Sequence, residues 1–207
     1  ALAEVGPYLD IANALGKLLA KLGMDNPDSL RVSYHGDIGE KDTALISRSV
    51  LTSYLEAARS DGQVNIVNAP SVAKDMGLNT TESTINAQTE YSELVVADLR
   101  KGDESFRVSG TVIGKSPRVV EFDKLYVDIN VKGDFLIVKN DDRPGIVGAI
   151  GTILGKAGSN IANLSLARNK SEGNALSVIQ LDQPLSEDVM VEIRSTEGLI
   201  YATGVSL

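Results

Sequence analysis

The sequence of 207 residues carries a formal charge of −8, is 43% apolar and 23% charged, and contains no cysteine. This balance suits a soluble globular chain of one large or two small domains and excludes a basic face for sequence-independent binding of nucleic acid. Without thiols there is no disulfide, thiolate metal site or cysteine nucleophile, and no apolar run reaches the ~20 residues that span a bilayer. The start also lacks a basic stretch followed by a hydrophobic one, so the expected compartment is the cytoplasm, with neither membrane nor nucleic acid as partner.

In chain order, Pro7 precedes an amphipathic helix with Leu9, Ala12, Leu15, Leu18, Leu19 and Leu22 as its buried stripe and Gly23 as its stop. Leu30 to His35 alternates apolar and polar residues, as a half-buried strand does. Thr43 to Arg59 reads as a second helix with Ala44, Ile46, Val50, Leu51, Tyr54 and Leu55 facing inward. Val64 to Val67 is a short strand or turn, and Asn68-Ala69-Pro70 opens a short helix that ends at Gly77. The pattern then switches to strands at Leu78–Thr84, Glu93–Arg100, Ser105–Ile113 and Arg118–Phe122, with turn signals at Gly102-Asp103 and Lys115-Ser116-Pro117. Residues 1–130 are therefore expected to form an α+β domain with helices first and a mostly antiparallel sheet after, and Tyr126 to Asp134 a joint into a second domain, residues 131–207.

The second domain opens on the apolar run Phe135 to Val138, a buried strand, followed by the polar elbow Asn140-Asp141-Asp142-Arg143. Pro144 suits the first turn of the next helix, whose inner face carries Ile146, Val147, Ile150, Ile153, Leu154 and Ala157, with Gly158 as C-cap. Two strands, Ile161–Arg168 and Asn174–Gln180, follow; Ser186 then caps a helix holding Val189, Met190 and Ile193, Gly198 stops it, and Leu199–Ser206 is the last strand. The order βαββαβ is the ferredoxin-like arrangement.

Asn140, Asp142 and Asn160 stand at the two ends of the domain's first helix and offer two amides and a carboxylate, a set that both donates and accepts hydrogen bonds. A free amino acid, with its ammonium and carboxylate, needs such a mixture. On residue types alone a cap for Asp142 and a turn for Asn160 are the commoner roles, and both readings stay open.

The residues Asn140-Asp141-Asp142-Arg143-Pro144-Gly145, then Gly148, Gly151, Gly158 and Asn160-Ile161, resemble the opening of an ACT domain of the phosphoglycerate dehydrogenase type. Upstream, Pro7-Tyr8-Leu9 with Leu15-Gly16, Val64 to Pro70 and Gly77-Leu78 resemble the intervening, allosteric-substrate-binding domain of long-form D-3-phosphoglycerate dehydrogenases, which in that family precedes an ACT domain. The nearest competitor is the regulatory part of an L-serine dehydratase. The resemblance implies βαββαβ modules that pair edge to edge and a homodimer or tetramer built through them. It also implies an amino-acid effector, L-serine above all, bound by the elbow residues Asn140 and Asp142 of one subunit and Asn160 of another. Relatives often carry an aromatic or imidazole group where this chain has Asn140. The resemblance further implies an anion in the first domain, for which Arg118, Lys124 and Lys132 are the candidates; as residues alone they also read as surface charge.

No catalytic residue or metal site is assigned. Gly145, Gly148 and Gly151 lie three apart within a helix, which is not the dinucleotide fingerprint, and they are expected to let another backbone approach closely. NAD, the cofactor of the family's dehydrogenase domains, has no site here. His35 is the one histidine and reads as structural. The chain is expected to regulate and assemble a dehydrogenase, with a purely constitutive dimerisation module as the alternative.

Overall fold

Two sheets make up the fold, and the chain divides into two units, the first ending at Lys124 and the second beginning at Leu125. The computed structural model describes residues 2–59, 62–87 and 89–207.

In the first unit, α1 (Leu2–Leu22) takes in Pro7, so the helix starts well before the proline instead of after it. The flanking Ala, Leu and Glu are strong helix formers, and near an N-terminus a proline forfeits only one backbone bond. The buried stripe is Tyr8, Ile11, Ala12, Leu15, Leu18 and Leu19, while Leu9 and Leu22 are only half-buried. Next come β1 (Ser29–Gly36), a short 3-10 turn (Asp37–Glu40), α2 (Ala44–Ala58) and α3 (Ala69–Asp75). The inner face of α2 begins at Ile46; Ala44, expected inside, is exposed. Helices α1 and α2 pack closely because Gly16 has no side chain: a Cβ there would lie 2.5 Å from the Val50 carbonyl oxygen and 2.8 Å from the Tyr54 nitrogen.

The strands β2 (Asn79–Ile85), β3 (Glu93–Lys101), β4 (Glu104–Ile113) and β5 (Ser116–Phe122) complete this unit. Their order is β2-β1-β3-β4-β5. Pairing is antiparallel except between β1 and β2, which run parallel. The mostly antiparallel sheet is as expected, while the expected order with the helices first is corrected. Strand β1 lies between helices in sequence, and the α2–α3 crossover returns the chain in the same direction, as a parallel pair requires. The turn before β5 is Gly114-Lys115, one residue ahead of the expected one, so Ser116 and Pro117 belong to the strand.

The second unit starts with β6 (Leu125–Asn130), where a joint was expected. Its residues are held by the Ser165 hydroxyl, which accepts from the Asp128 N–H at 3.1 Å, and by Gln180, whose Oε1 accepts from the Asn130 amide at 2.8 Å. Then follow β7 (Asp134–Asp141), α4 (Ile146–Lys156), β8 (Ile161–Asn169), β9 (Asn174–Leu181), α5 (Glu187–Arg194) and β10 (Leu199–Ser206). The last four strands form an antiparallel sheet in the order β10-β7-β9-β8. The core under the two helices combines Leu136, Val138, Ile179, Leu181 and Ala202 with Ile146, Ile150, Leu154, Met190 and Ile193. Pro144 stands outside α4, whose N-cap is Gly145 at φ 97°, a left-handed conformation natural to glycine. Ser186 caps α5 as expected, its Oγ accepting from the Val189 N–H. The entrance and exit of the sheet are tied together, Gly133 and Leu207 exchanging backbone hydrogen bonds at 3.4 and 2.9 Å.

Candidate functional site

The elbow after β7 is fixed by its neighbours. The Asp141 N–H donates to the Gly198 carbonyl at 2.8 Å and the Asp142 N–H to the Gly173 carbonyl at 3.0 Å, so two tight turns pin the segment that carries the polar side chains. Both glycines have positive φ, 85° and 68°.

Asn140 is buried, 2% exposed, at the end of β7. Its Nδ2 donates to the Asp141 carbonyl at 2.6 Å, and its Oδ1 has no hydrogen-bond partner. A buried acceptor left unpaired costs about 1–3 kcal/mol, so this oxygen is a place where a donor would be welcome. Asp142 does not cap α4, since Gly145 holds that position without any side-chain bond. Its carboxylate instead receives Arg168: Nε donates to both oxygens at 2.9 Å, and the second guanidinium nitrogen lies 2.8 Å from Oδ2. Those bonds raise the Arg168 guanidinium above its ordinary pKa. Alongside, the Asn174 amide donates to Glu172 at 2.9 Å and Lys139 stands 3.7 Å from the same carboxylate; the amide first and the ammonium second hold Glu172 below the usual carboxylate range.

Asn160 is elsewhere. Ile161 stands opposite Leu181, which stands opposite Asp134, whereas Asn140 stands opposite Ala175, which stands opposite Arg168. Seven residues of strand separate those rows, so Asn160 lies about 20 Å from the elbow in one copy of the chain. It is exposed, and its Nδ2 donates to Asp182 at 2.9 Å. The structure therefore brings Asn140 and Asp142 together and leaves Asn160 at the opposite end of the sheet.

Sequence reasoning missed Arg168, and with it Asn174 and Ser177, which like Asn140 are buried with a side-chain oxygen unpaired. A lone arginine ending a strand carries no local signal; only the register shows that it faces Asn140. Around α4, a Cβ added at Gly148, Gly151 or Gly155 would meet nothing within 4 Å, so among the described residues no backbone approaches the helix there. Beside it, the edge strand β8 exposes Ile161, Leu164 and Leu166.

In the first unit, Arg118 is half-buried opposite Thr111 near the start of β5, and Lys124 follows its end in an Asp123-Lys124 turn, both at positive φ. Six residues of strand and turn place those two cations roughly 20 Å apart, so they do not stand side by side. Lys132 is exposed and belongs to the second unit. His35 is the last residue but one of β1, with its Nδ1 buried and unpaired. Among the described residues no group of three or more His, Asp or Glu side chains is arranged to hold a metal ion, and no helix is long and apolar enough to cross a membrane.

Comparison with known proteins bears on both units. The D-3-phosphoglycerate dehydrogenase of Bacillus subtilis is 26% identical over 206 residues, covering 99% of this chain and 39% of the relative. That of Archaeoglobus fulgidus is 28% identical over 203 residues, 97% of this chain and 38% of the relative. That of Mycobacterium tuberculosis is 33% identical over 195 residues, 92% of this chain and 36% of the relative. The chain thus spans less than two fifths of the length of these curated relatives, and no finding places their whole activity in it. The family described as D-3-phosphoglycerate dehydrogenase intervening domain matches residues 4–123, a range that ends one residue before the first structural unit does. That range takes in more than half of the sequence, and the chain belongs to the D-3-phosphoglycerate dehydrogenase intervening-domain family.

Proposed function

We propose that this chain is the regulatory, ligand-sensing and oligomerising part of a long-form D-3-phosphoglycerate dehydrogenase. Residues 131–207 act as an ACT domain that binds L-serine, and residues 1–130 hold an anion at Arg118. The NAD-dependent step that begins L-serine biosynthesis then belongs to the remainder of such a protein. The observation that carries the reading is Asn140, a buried amide with an unpaired acceptor at a pinned, charged elbow. An ammonium group supplies the missing donor. The βαββαβ order and the strand order β10-β7-β9-β8 support the ferredoxin-like ACT arrangement.

The 20 Å between Asn140 and Asn160 supports a shared site, because a small ligand reaches both only when two copies meet. Two α4 helices running antiparallel bring the elbow of one copy to Asn160 of the other. The open glycine face of α4 and the unpaired, apolar edge of β8 suit that meeting. The same edge also favours the second reading, an assembly module that dimerises and senses nothing. The match over residues 4–123 speaks for a dehydrogenase over a serine dehydratase as the parent.

The test is thermal unfolding with and without millimolar L-serine, glycine and phosphoglycerate, repeated with Asn140→Ala. Ligand at 100 times its dissociation constant adds about 2.7 kcal/mol to the folded state. A serine-specific rise lost in Asn140→Ala is expected. Unchanged melting with every amino acid, in a chain that is nonetheless dimeric, leaves the assembly module.

A further inference from the structure

The row Asn140–Ala175–Arg168 crosses three neighbouring strands in register. Residues directly opposite one another share a face, and alternation along β7 from Leu136 and Val138 places Asn140 on the face that α4 and α5 back. The middle residue is alanine, 3% exposed, so on the intervening strand only a methyl stands between the two ends of the row, Asn140 and Arg168. Two strand spacings set the outer residues about 10 Å apart at Cα. An amino-acid backbone with a hydrogen bond at each end covers about 8 Å, which the long arginine side chain bridges. Arg168 engages Asp142 through Nε and one terminal nitrogen, and among the described residues no acceptor takes its other terminal nitrogen, Nη1.

We infer that Arg168 belongs to the effector site and makes it selective for a zwitterion, taking the ligand's carboxylate while Asn140 Oδ1 and Asp142 take its ammonium. This rests on the amino-acid-sensing reading given above and adds to it the residue that recognises the acid end. The logic is charge matching. Asp142 and Arg168 already neutralise each other, so a ligand that carries both charges adds one partner to each, whereas a lone amine or a lone acid unbalances the pair. The guanidinium also presents a planar fork that fits a carboxylate better than an ammonium does.

The experiment is calorimetric titration of the full 207-residue chain with L-serine and with L-serine methyl ester, which keeps the ammonium and hydroxyl but lacks the carboxylate. Wild type, Arg168→Leu and Arg168→Lys are compared. Wild type is expected to prefer L-serine over the ester by about tenfold or more, the worth of one charged hydrogen bond. In Arg168→Leu the preference disappears because L-serine binding falls to the level of the ester, and in Arg168→Lys it shrinks without vanishing. Arg168→Leu retaining the full preference overturns the assignment of Arg168 while leaving the sensor intact. Wild type binding neither compound overturns the sensor reading itself, and this assignment with it. Arg168 is exposed, and if circular dichroism shows Arg168→Leu misfolded, the Arg168→Lys comparison decides by the same criterion.

Discussion

The two units treat their helices in opposite ways. In the first, Gly16 lets α1 sink onto the backbone of α2, the buried Tyr8 phenol donates to Glu93, and the Tyr34 hydroxyl lies 2.5 Å from that of Ser47 and donates to the Thr43 carbonyl at 3.1 Å. In the second, the glycines of α4 face open space, the buried Asn140 Oδ1 lacks a partner, and an edge strand shows leucines to solvent. The first unit is thus marked by close helix packing, although His35 Nδ1 and Ser109 Oγ are buried in it without a partner. The second leaves groups unmatched in the way a surface does when its partner is a ligand or another copy.

The sharpest way to break this contrast is Gly16→Leu. Its Cβ has no room against the Val50 carbonyl and Tyr54, so the first unit should lose about 3 kcal/mol or more of unfolding free energy in urea. An unchanged midpoint would show the α1–α2 approach to be slack. Alkaline pH probes the same unit more gently. Burial raises the phenols of Tyr8 and Tyr34 well above the usual tyrosine pKa, with the Glu93 hydrogen bond adding to it for Tyr8. Folded pKa values above the unfolded one mean that this stability is fully present below pH about 10 and is lost as pH climbs toward the folded values. Each phenol contributes a slope of about 1.4 kcal/mol per pH unit in that window. Tyr34→Phe should flatten the alkaline fall measured by denaturant titration, and an identical slope in the variant would refute the burial argument. The smallest effect belongs to Gly151→Ala. With nothing within 4 Å of the new methyl, helix propensity should stabilise the monomer by about 0.5–1 kcal/mol. Sedimentation should show weaker self-association if a second helix uses that face. Unchanged association would remove α4 from the interface.

Periodicity made most of this readable in advance. The βαββαβ order of residues 134–206, the Ser186 cap and the inner face of α2 from Ile46 onward follow from spacing and capping chemistry. Three features escaped for physical reasons. Pro7 was taken as a helix start because proline favours first turns, yet the Leu, Ala and Glu before it are themselves helix formers. Strand β6 was taken for a joint because the turn ahead of it is Asp123-Lys124, at φ 44° and 70°, without the glycine that usually marks such a turn. The elbow's charge partner was invisible because Asp142 and Arg168 lie 26 positions apart and meet only through the β7–β9–β8 register. Which polar residues cluster was legible within a segment and illegible across segments.

The backbone bonds between Gly133 and Leu207 have a further consequence. Because the four-stranded sheet is entered and left at neighbouring points, with β7 and β10 side by side, the module needs a single doorway in any host. Such a cassette can be spliced behind or between other domains without prising their sheets apart.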